Sequence, residues 1–315
     1  MRSYGSTLRE RLDDDGLVVC PGVHDPLTAA VADHVGFDVI YMTGYGTSLS
    51  KVGYPDGGFI TMPEMIENAA NIQERIDVPL IADADNGYGN ATNVIRTVRE
   101  YIKAGVGGIH IEDQTFPKRC GHTKGRQVID AEEAVGKVAA AADVRDERDE
   151  GFVIIARTDA RGTGGGSLGE GIERANAFLE AGADVAFVEG PTDESELRRV
   201  GRGVDGPLVY NFVGELGTSP YVELDDLESW GFDLVLFPVL STLSTIASVH
   251  ADMELFAADP VEAMSRVDEA FSERPVGSLH EFSGFPEVLE WEKRYLPAED
   301  RAKYEGSIGD ELGGE

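Results

Sequence analysis

Cysteine and basic residues are scarce in this sequence of 315 residues, which contains two Cys and 27 Lys and Arg against 58 Asp and Glu. Two cysteines exclude a disulfide framework and a cysteine-rich metal cluster. The formal net charge of -31 repels phosphate backbones and anionic lipids, so we expect neither nucleic acid nor a membrane as partner. Apolar stretches stay shorter than the roughly 18 residues of a membrane span, and the first residues lack the apolar core of a signal peptide. We therefore predict a cytoplasmic protein.

The acidic residues are spread along the whole chain, in segments such as RLDDDG, DVRDERDE and ELDDLE, and Arg is favoured over Lys. Such an excess is typical of proteins from salt-accumulating halophiles, because screening at molar salt makes the self-repulsion tolerable. We therefore predict a halophilic protein whose fold is weakened at low salt.

Eight short apolar runs recur along the chain, and each is followed by a segment with helical periodicity. Near-continuous hydrophobicity is what strands buried on both faces require, and the glycines of KAGVGG and EAGAD indicate helix ends before the next strand. Eight such units in about 250 residues predict an α/β fold, a (β/α)8 TIM barrel, with an open doubly wound sheet as the alternative. The runs are LVVCPG (17–22), DVIYMTG (38–44), PLIADAD (79–85), GGIHIED (107–113), FVIIARTDA (152–160), DVAFVEG (184–190), LVYNF (208–212) and DLVLFP (233–238).

The apolar periodicity continues after the eighth run through EFSGFPEVLEWEKRY, whereas the final GSIGDELGGE is polar and rich in glycine. No internal linker interrupts the pattern. We therefore predict one domain over residues 1–315, made of the barrel, a C-terminal helical extension over about 255–305, and a flexible tail.

Polar residues end five consecutive runs, at the edge where a barrel carries its catalytic mouth. Asp83 and Asp85 end the third run, and their i, i+2 spacing on an extended chain places both carboxylates on one face. Two carboxylates in one mouth suit a hard cation such as Mg²⁺ bound partly through water, with turn capping as the alternative. The other polar ends are His110 and Glu112 on one face of the fourth run, Asp113 on its other face, Arg157, Thr158 and Asp159, then Glu189, and Asn211. A buried structural network is the alternative reading of these ends.

The segment FPKRCGHTKGRQ, residues 116–127, gathers Lys and Arg side chains around Cys120 and His122. Neighbouring cations lower the pKa of a thiol and attract an anionic ligand. Cys20 lies instead inside the apolar run LVVCPG, which is typical of an inert, buried cysteine. We predict that Cys120 is an acid or a nucleophile beside a site for a multiply charged carboxylate.

Five motifs, ADADNGYGN, HIEDQ, KRCGH, ARTDA and VEG, resemble in this order the isocitrate lyase and phosphoenolpyruvate mutase superfamily, most closely its short methylisocitrate lyase branch. The resemblance runs from about Leu8 to the EWEKRY segment, and the Lys-Arg-Cys-Gly-His loop is highly specific. It implies a (β/α)8 barrel whose last helix is exchanged between the subunits of a homotetramer. It also implies Mg²⁺ at the barrel mouth, with Mn²⁺ as the alternative.

The resemblance further implies roles for individual residues. Asp83 and Asp85 would hold the metal and its waters, with Asp56 and Glu112 in support through water. Arg157 would bind the carboxylate of a 2-oxo acid, because the planar guanidinium can donate two parallel hydrogen bonds to a carboxylate. Besides Cys120 and His122, the remaining substrate site would comprise Thr43, Gly44, Tyr45, His110, Lys118, Arg119, Gly121, Glu189 and Asn211. The sequence departs from the branch in two places. Thr43 and Tyr45 replace the first and last residues of a Ser-Gly-Gly carboxylate cradle. The branch has a Glu three residues after the Asn, whereas here Glu215 lies four residues after Asn211.

The implied reaction is a retro-aldol cleavage of a small 2-hydroxy tricarboxylate, in which Cys120 protonates the carbanion that leaves as succinate. 2-Methylisocitrate lyase activity, giving succinate and pyruvate, is the first hypothesis, and isocitrate lyase activity, giving glyoxylate, is the second. Isocitrate lyases carry Trp and Phe where this chain has Phe187 and Leu236, which leaves room here for a methyl group. They also carry a Ser-Pro-Ser motif that this chain lacks.

Three further functions stay open on the residues alone. Lyases or decarboxylases of oxaloacetate or substituted malates share these motifs. Phosphonomutases lack the Cys-Gly-His loop, and a non-enzymatic binding protein would leave the Cys120 segment and the acidic pair unexplained.

We expect the free energy of unfolding and the activity to rise as KCl is increased into the molar range. The repulsion among the 58 acidic side chains must be screened before the compact state is favoured. Thermal unfolding and turnover measured across a KCl series test this, and a parallel sucrose series separates screening from solute exclusion. Full activity at low ionic strength, with no gain from KCl, would contradict the halophile interpretation.

Overall fold

Eight parallel strands close into a barrel in the computed structural model, which describes residues 3–14, 16–214, 217 and 219–301. The first strand pairs with the last, with Val18 opposite Leu234, so the sheet has no open edge and the doubly wound alternative is wrong. Each predicted run overlaps one strand, and the predicted (β/α)8 barrel is confirmed. The strands are β1 (Val18–Val23), β2 (Ile40–Met42), β3 (Leu80–Asp83), β4 (Gly108–Glu112), β5 (Val153–Thr158), β6 (Val185–Val188), β7 (Leu208–Asn211) and β8 (Leu234–Phe237).

Helices connect the strands, and two of them end where the glycine signals place their ends. Gly105 and Gly182 follow two of them with φ of 81° and 103°, a left-handed conformation that favours glycine. A π-helical turn covers Ser48–Val52 and a 3₁₀ turn covers Ala160–Gly162. The α-helices are α1 (Tyr4–Asp13), α2 (Pro26–Val35), α3 (Gly44–Thr47), α4 (Met62–Arg75), α5 (Ala91–Lys103), α6 (Ala131–Arg148), α7 (Leu168–Glu180), α8 (Glu194–Gly203), α9 (Leu224–Ser229), α10 (Leu240–Ala258), α11 (Pro260–Ser272), α12 (Leu279–Ser283), α13 (Phe285–Tyr295) and α14 (Ala298–Arg301).

Alternate residues of the strands other than β4 contribute to one buried cluster, which includes Cys20, Ile155, Phe187 and Leu236. Cys20 is completely buried, and burial raises the pKa of its thiol, so it stays a neutral, packed side chain. This closed, rigid interior is what fixes the polar residues at the strand ends relative to one another.

The chain divides into two compact units between Ser244 and Thr245. The barrel belongs to the first, and α11 to α14 belong to the second. Among the described residues, no helix is long and apolar enough to cross a bilayer. The predicted flexible tail, GSIGDELGGE, and the last residues of the predicted helical extension lie outside the described residues.

Candidate active site

A cavity lies among residues that end the strands or follow them. Several of its lining residues are ones that the sequence predicts for a site: Thr43, Tyr45, Asp56, Asp83, Cys120, Gly121, His122, Arg157, Glu189 and Asn211. Separate segments of the chain, far apart in sequence, thus converge on one space because the barrel places all carboxyl ends of its strands on one side.

Four other predicted residues are buried close to this cavity without lining it: Gly44, Asp85, Glu112 and Lys118. The backbone N–H of Gly44 donates to Asp83 Oδ2 at 3.1 Å, and a Cβ at this position would fall 2.3 Å from the same oxygen. The cradle therefore needs glycine at its centre, even though Thr43 and Tyr45 replace its other members.

The structure does not bring His110 or Arg119 to the cavity lining. His110 is completely buried in the barrel, where its ring lies near Tyr41 and Phe187, with centroid distances of 6.1 and 5.7 Å. Arg119 is exposed, and only its backbone is held, by the Gln114 amide, which contacts the Arg119 N–H at 3.0 Å and the Arg119 C=O at 2.9 Å.

Asp83 and Asp85 lie together for a different reason than the predicted one. The strand ends at Asp83, and Asp85 adopts a left-handed backbone with φ of 48°, so the extended i, i+2 geometry is wrong. The N–H of Asp85 instead donates to Asp83 Oδ1 at 2.8 Å, and both carboxylates are buried. A non-glycine residue in this region is under local strain, which is a feature of functional sites.

Lys118 forms ion pairs with two of the acidic residues near the cavity. Its Nζ lies 2.5 Å from Asp56 Oδ1 and 2.6 Å from Asp85 Oδ1. Burial disfavours the ammonium, but Asp56 and Asp85 outweigh burial and raise the pKa of Lys118 well above its usual value. Burial also raises the pKa of Asp85 to about 7 against the opposing effect of Lys118.

The donor set fits Mg²⁺ bound mainly through water. All candidate ligands are carboxylate oxygens, and Glu112 Oε1 is buried with no hydrogen-bond partner among the described residues. Within the described ranges, no three His, Cys, Asp or Glu side chains converge closely enough to hold a metal by themselves. Water would therefore supply several of the ligands, as Mg²⁺ generally requires.

Cys120 has a raised pKa, which corrects the prediction that neighbouring cations lower it. Burial is the main cause, and the backbone hydrogen bond at His122 and the charges of Arg157 and Lys118 compensate only in part. Lys118 and Arg157 have little effect on the thiol because each is paired with carboxylates of its own. A thiol that stays protonated is a proton donor, so the structure favours the acid role over the nucleophile.

Arg157 lies at the centre of the charged groups of the cavity. Its Nε is 3.5 Å from Glu112 Oε2, its Nη2 is 3.4 Å from Glu189 Oε2, and its guanidinium lies over the Phe187 ring. Gly121 packs directly against it, since a Cβ there would fall 2.1 Å from Arg157 Nη2. Glycine in the KRCGH motif thus allows the loop to contact the guanidinium.

Glu189 joins the two predicted residues that face it. Asn211 Nδ2 donates to Glu189 Oε2 at 2.9 Å, and His122 Nε2 lies 3.5 Å from Glu189 Oε1. Burial disfavours the charge on Glu189, but Arg157 and His122 outweigh it and lower its pKa. Glu215, the other acidic residue considered for this region, lies outside the described residues.

Tyr41, Val213, Pro238 and Val239 also line the cavity, and sequence reasoning did not find them. The Tyr41 hydroxyl lies 3.4 Å from Asp83 Oδ2 and 3.3 Å from His110 Nδ1. The sequence did carry a signal for Tyr41, because a tyrosine hydroxyl inside an apolar run needs a polar partner. The other three give none, because an apolar wall of a site has the same composition as a core.

The model of the family described as phosphoenolpyruvate phosphomutase matches residues 8–257. Among known proteins, 2,3-dimethylmalate lyase of Eubacterium barkeri is 43% identical, with 91% of this chain and 96% of that protein covered. Isocitrate lyase of Haloferax volcanii is 36% identical, with 96% and 89% covered. 2-Methylisocitrate lyase of Aeropyrum pernix is 42% identical, with 75% and 74% covered.

Solved structures match over almost the whole chain. A crystal structure of 2,3-dimethylmalate lyase superposes with a TM-score of 0.86 at 33% identity, covering 98% of this chain and 99% of that one. A phosphonopyruvate hydrolase in complex with oxalate and Mg²⁺ superposes with a TM-score of 0.81 at 30% identity, covering 94% and 100%.

Proposed function

The chain belongs to the phosphoenolpyruvate mutase and isocitrate lyase superfamily, and we propose that it is a Mg²⁺-dependent carbon–carbon lyase that releases pyruvate from a methylated 2-hydroxy acid. The observation that carries the proposal is that the Cys120 thiol, whose pKa is raised by burial, lines the same cavity as Arg157 and Asp83. A proton donor, a carboxylate-binding cation and a metal-binding carboxylate are the groups that a retro-aldol cleavage needs.

The residues of the cavity divide the work of this reaction. Arg157 binds the carboxylate that becomes part of the oxo acid. A base takes the hydroxyl proton, the bond between the hydroxyl carbon and its neighbour breaks, and the electron pair on the leaving carbon takes the thiol proton of Cys120. Asp83 and Asp85 would hold Mg²⁺, which would supply Lewis acidity to the reaction. Tightly packed Phe187 limits the entry of water beside Arg157.

Two substrates with a methyl group on the hydroxyl carbon fit this description. 2-Methylisocitrate, favoured by the motifs, would leave succinate, whereas 2,3-dimethylmalate would leave propionate. The apolar side chains of Val213, Pro238 and Val239 favour the second substrate, because its leaving fragment has a methyl group where the first has a carboxymethyl group. The 43% identity to 2,3-dimethylmalate lyase supports the same candidate.

Isocitrate lacks the methyl group, and a pocket distinguishes one methyl by only about 1 to 3 kcal/mol. Phe187 lines the cavity, whereas Leu236 is buried in the barrel interior and is not among the lining residues. The presence of Phe187, where isocitrate lyases carry a larger Trp, is therefore the feature that favours a methylated substrate over isocitrate.

An assay of the purified protein in high salt with Mg²⁺ tests the proposal. 2-Methylisocitrate, 2,3-dimethylmalate, isocitrate and oxaloacetate are supplied separately, and the products are identified by mass spectrometry. We expect pyruvate from one or both methylated substrates, with kcat/KM at least about tenfold above that for isocitrate. Release of no oxo acid from any of these substrates by folded protein would refute the function.

We propose in addition that the chain assembles into a homotetramer with its last barrel helix exchanged between subunits. Exposed apolar side chains support an assembly, both on α2 and in the second unit, because large uncovered apolar faces are rare in monomers. They include Leu27, Val31, Val35, Val261, Met264, Trp291 and Tyr295. Light scattering in high salt tests the tetramer, and a monomeric mass would contradict it.

A further inference from the structure

Asp159, which follows β5 directly, shares one carboxylate between two guanidinium groups. Its Oδ2 accepts from Arg157 Nε at 2.9 Å, and its Oδ1 accepts from Arg157 Nη2 at 3.1 Å and from Arg126 Nη1 at 2.9 Å. Asp159 is completely buried, and its own N–H donates to Asp113 Oδ1 at 2.9 Å. Both the carboxylate and its backbone are thus fixed.

Arg126 belongs to the same loop as Cys120. This Cys120 loop, residues 115–127, is closed at its base, where the N–H of Thr115 donates to the Gln127 carbonyl at 2.9 Å. Arg126 lies two residues before Val128, which forms an antiparallel bridge with Gln114. It follows Cys120 by six residues in the sequence. A contact made by Arg126 therefore restrains the loop that carries the thiol.

The Arg126 guanidinium occupies a slot that is built for it. A Cβ at Gly162, in the 3₁₀ turn after β5, would fall 1.7 Å from Arg126 Nη2. A Cβ at Gly190, just after β6, would lie 3.7 Å from the same nitrogen. Arg126 is only 8% exposed in this slot. Burying a guanidinium is costly without a fixed partner, and Asp159 is that partner.

The Cys120 loop is therefore linked to Arg157 in two ways, once by direct packing and once through Asp159. Gly121 packs against Arg157 Nη2 from the cavity side. Arg126 is connected to Arg157 through the shared carboxylate of Asp159, which uses Nε and Nη2 of Arg157 and does not use Nη1. The orientation of the carboxylate-binding guanidinium and the position of the proton donor therefore depend on one acidic side chain.

We propose that Asp159 is a positioning residue that couples the Cys120 loop, through Arg126, to the orientation of Arg157, an inference that rests on the proposed function. Asp159 is not among the residues that line the cavity. It holds the substrate-binding cation with one pair of contacts and anchors the loop of the proton donor with another, so that both groups are in place together.

Three variants separate the two contacts. Asp159→Asn weakens the hold on both guanidinium groups, whereas Gly162→Ala expels Arg126 from its slot and leaves the pair between Asp159 and Arg157 intact. Gly164→Ala is the matched control, because a Cβ there meets nothing within 4 Å and the position lies in the same segment. Three quantities are measured for each: the rate of Cys120 alkylation by iodoacetamide, the Kd of oxalate in the presence of Mg²⁺, and kcat with KM.

We expect Gly162→Ala to speed the alkylation of Cys120 by at least about tenfold and to lower kcat, with the Kd of oxalate changed less than threefold or so. Asp159→Asn should both speed alkylation and raise the Kd of oxalate by about tenfold or more, while Gly164→Ala should match the parent in all three. A fall in Tm for Asp159→Asn and Gly162→Ala, with alkylation and oxalate binding unchanged, would overturn the coupling and leave a purely structural ion pair.

The alkylation rate keeps this test separate from the test of the proposed function. It is measured on protein without substrate, so the contrast between Gly162→Ala and Gly164→Ala decides the loop anchor even if none of the four acids is cleaved. A parent enzyme that turns over substrate while all variants alkylate at the parent rate would refute the coupling alone.

Discussion

Replacing Cys120 by serine is expected to lower kcat by at least about a thousandfold while KM stays within a few-fold of the parent value. Serine has nearly the same shape, but its hydroxyl is far less acidic than the thiol. Substrate binding depends on Arg157 and the metal, which the change leaves in place. A loss confined to kcat identifies an interaction that is made in the transition state and not in the ground state.

Cys20→Ser is the matched control for this prediction. Cys20 lies completely buried in the barrel cluster, so its replacement should affect stability and leave kcat nearly unchanged. Thiol alkylation of the parent should modify Cys120 and abolish activity, with substrate or product giving protection. Near-parent turnover by Cys120→Ser would mean that the loop only binds anions, and the lyase mechanism would have to be abandoned.

The raised pKa of Cys120 adds a pH dependence to the same prediction. The donor is active in its protonated form, so activity should persist at alkaline pH and decline only above the ordinary thiol value of about 8.5. Retention of the thiol proton up to that pH is measured directly by the pH dependence of alkylation.

Asp85→Asn is expected to abolish Mg²⁺-dependent turnover. The substitution removes the charge of a metal-binding carboxylate, and asparagine tolerates the left-handed backbone at φ 48° better than alanine does. Mg²⁺ should raise the Tm of the parent and have little effect on the variant, because a ligand that binds only the folded state stabilises it. Asp85→Ala should lose turnover as well, with a lower Tm from backbone strain.

Asp233→Asn serves as the control for the metal prediction. Asp233 is a partly buried carboxylate that precedes β8 and accepts from the Leu208 N–H at 2.8 Å, at the opposite end of the strands from the cavity. Its replacement should cost some stability and leave the dependence on Mg²⁺ intact. Retention of Mg²⁺-dependent activity by Asp85→Asn would remove Asp85 from the metal site.

The polar residues at the strand ends were correctly predicted from the sequence to lie together, whereas the direction of one loop side chain was not. Asp83, Arg157, Glu189 and Asn211 line one cavity as expected, because a closed parallel barrel leaves the carboxyl ends of its strands no other place. Arg119 was assigned to the same site by its position in a motif and is exposed instead. Membership of a motif fixes the path of the backbone better than the direction of a side chain on a loop.

The sequence by itself determined the barrel, since eight near-continuous apolar runs with helices between them have few ways to bury both faces of every strand. The tertiary structure alone decided the electrostatics. Lys118 is paired with Asp56 and Asp85, and Arg126 with Asp159, across separations in sequence that no local pattern encodes. Two of the charges that were expected to acidify Cys120, those of Lys118 and Arg126, are therefore already paired, and burial, which exists only once the chain has folded, is the main influence on the pKa of the thiol.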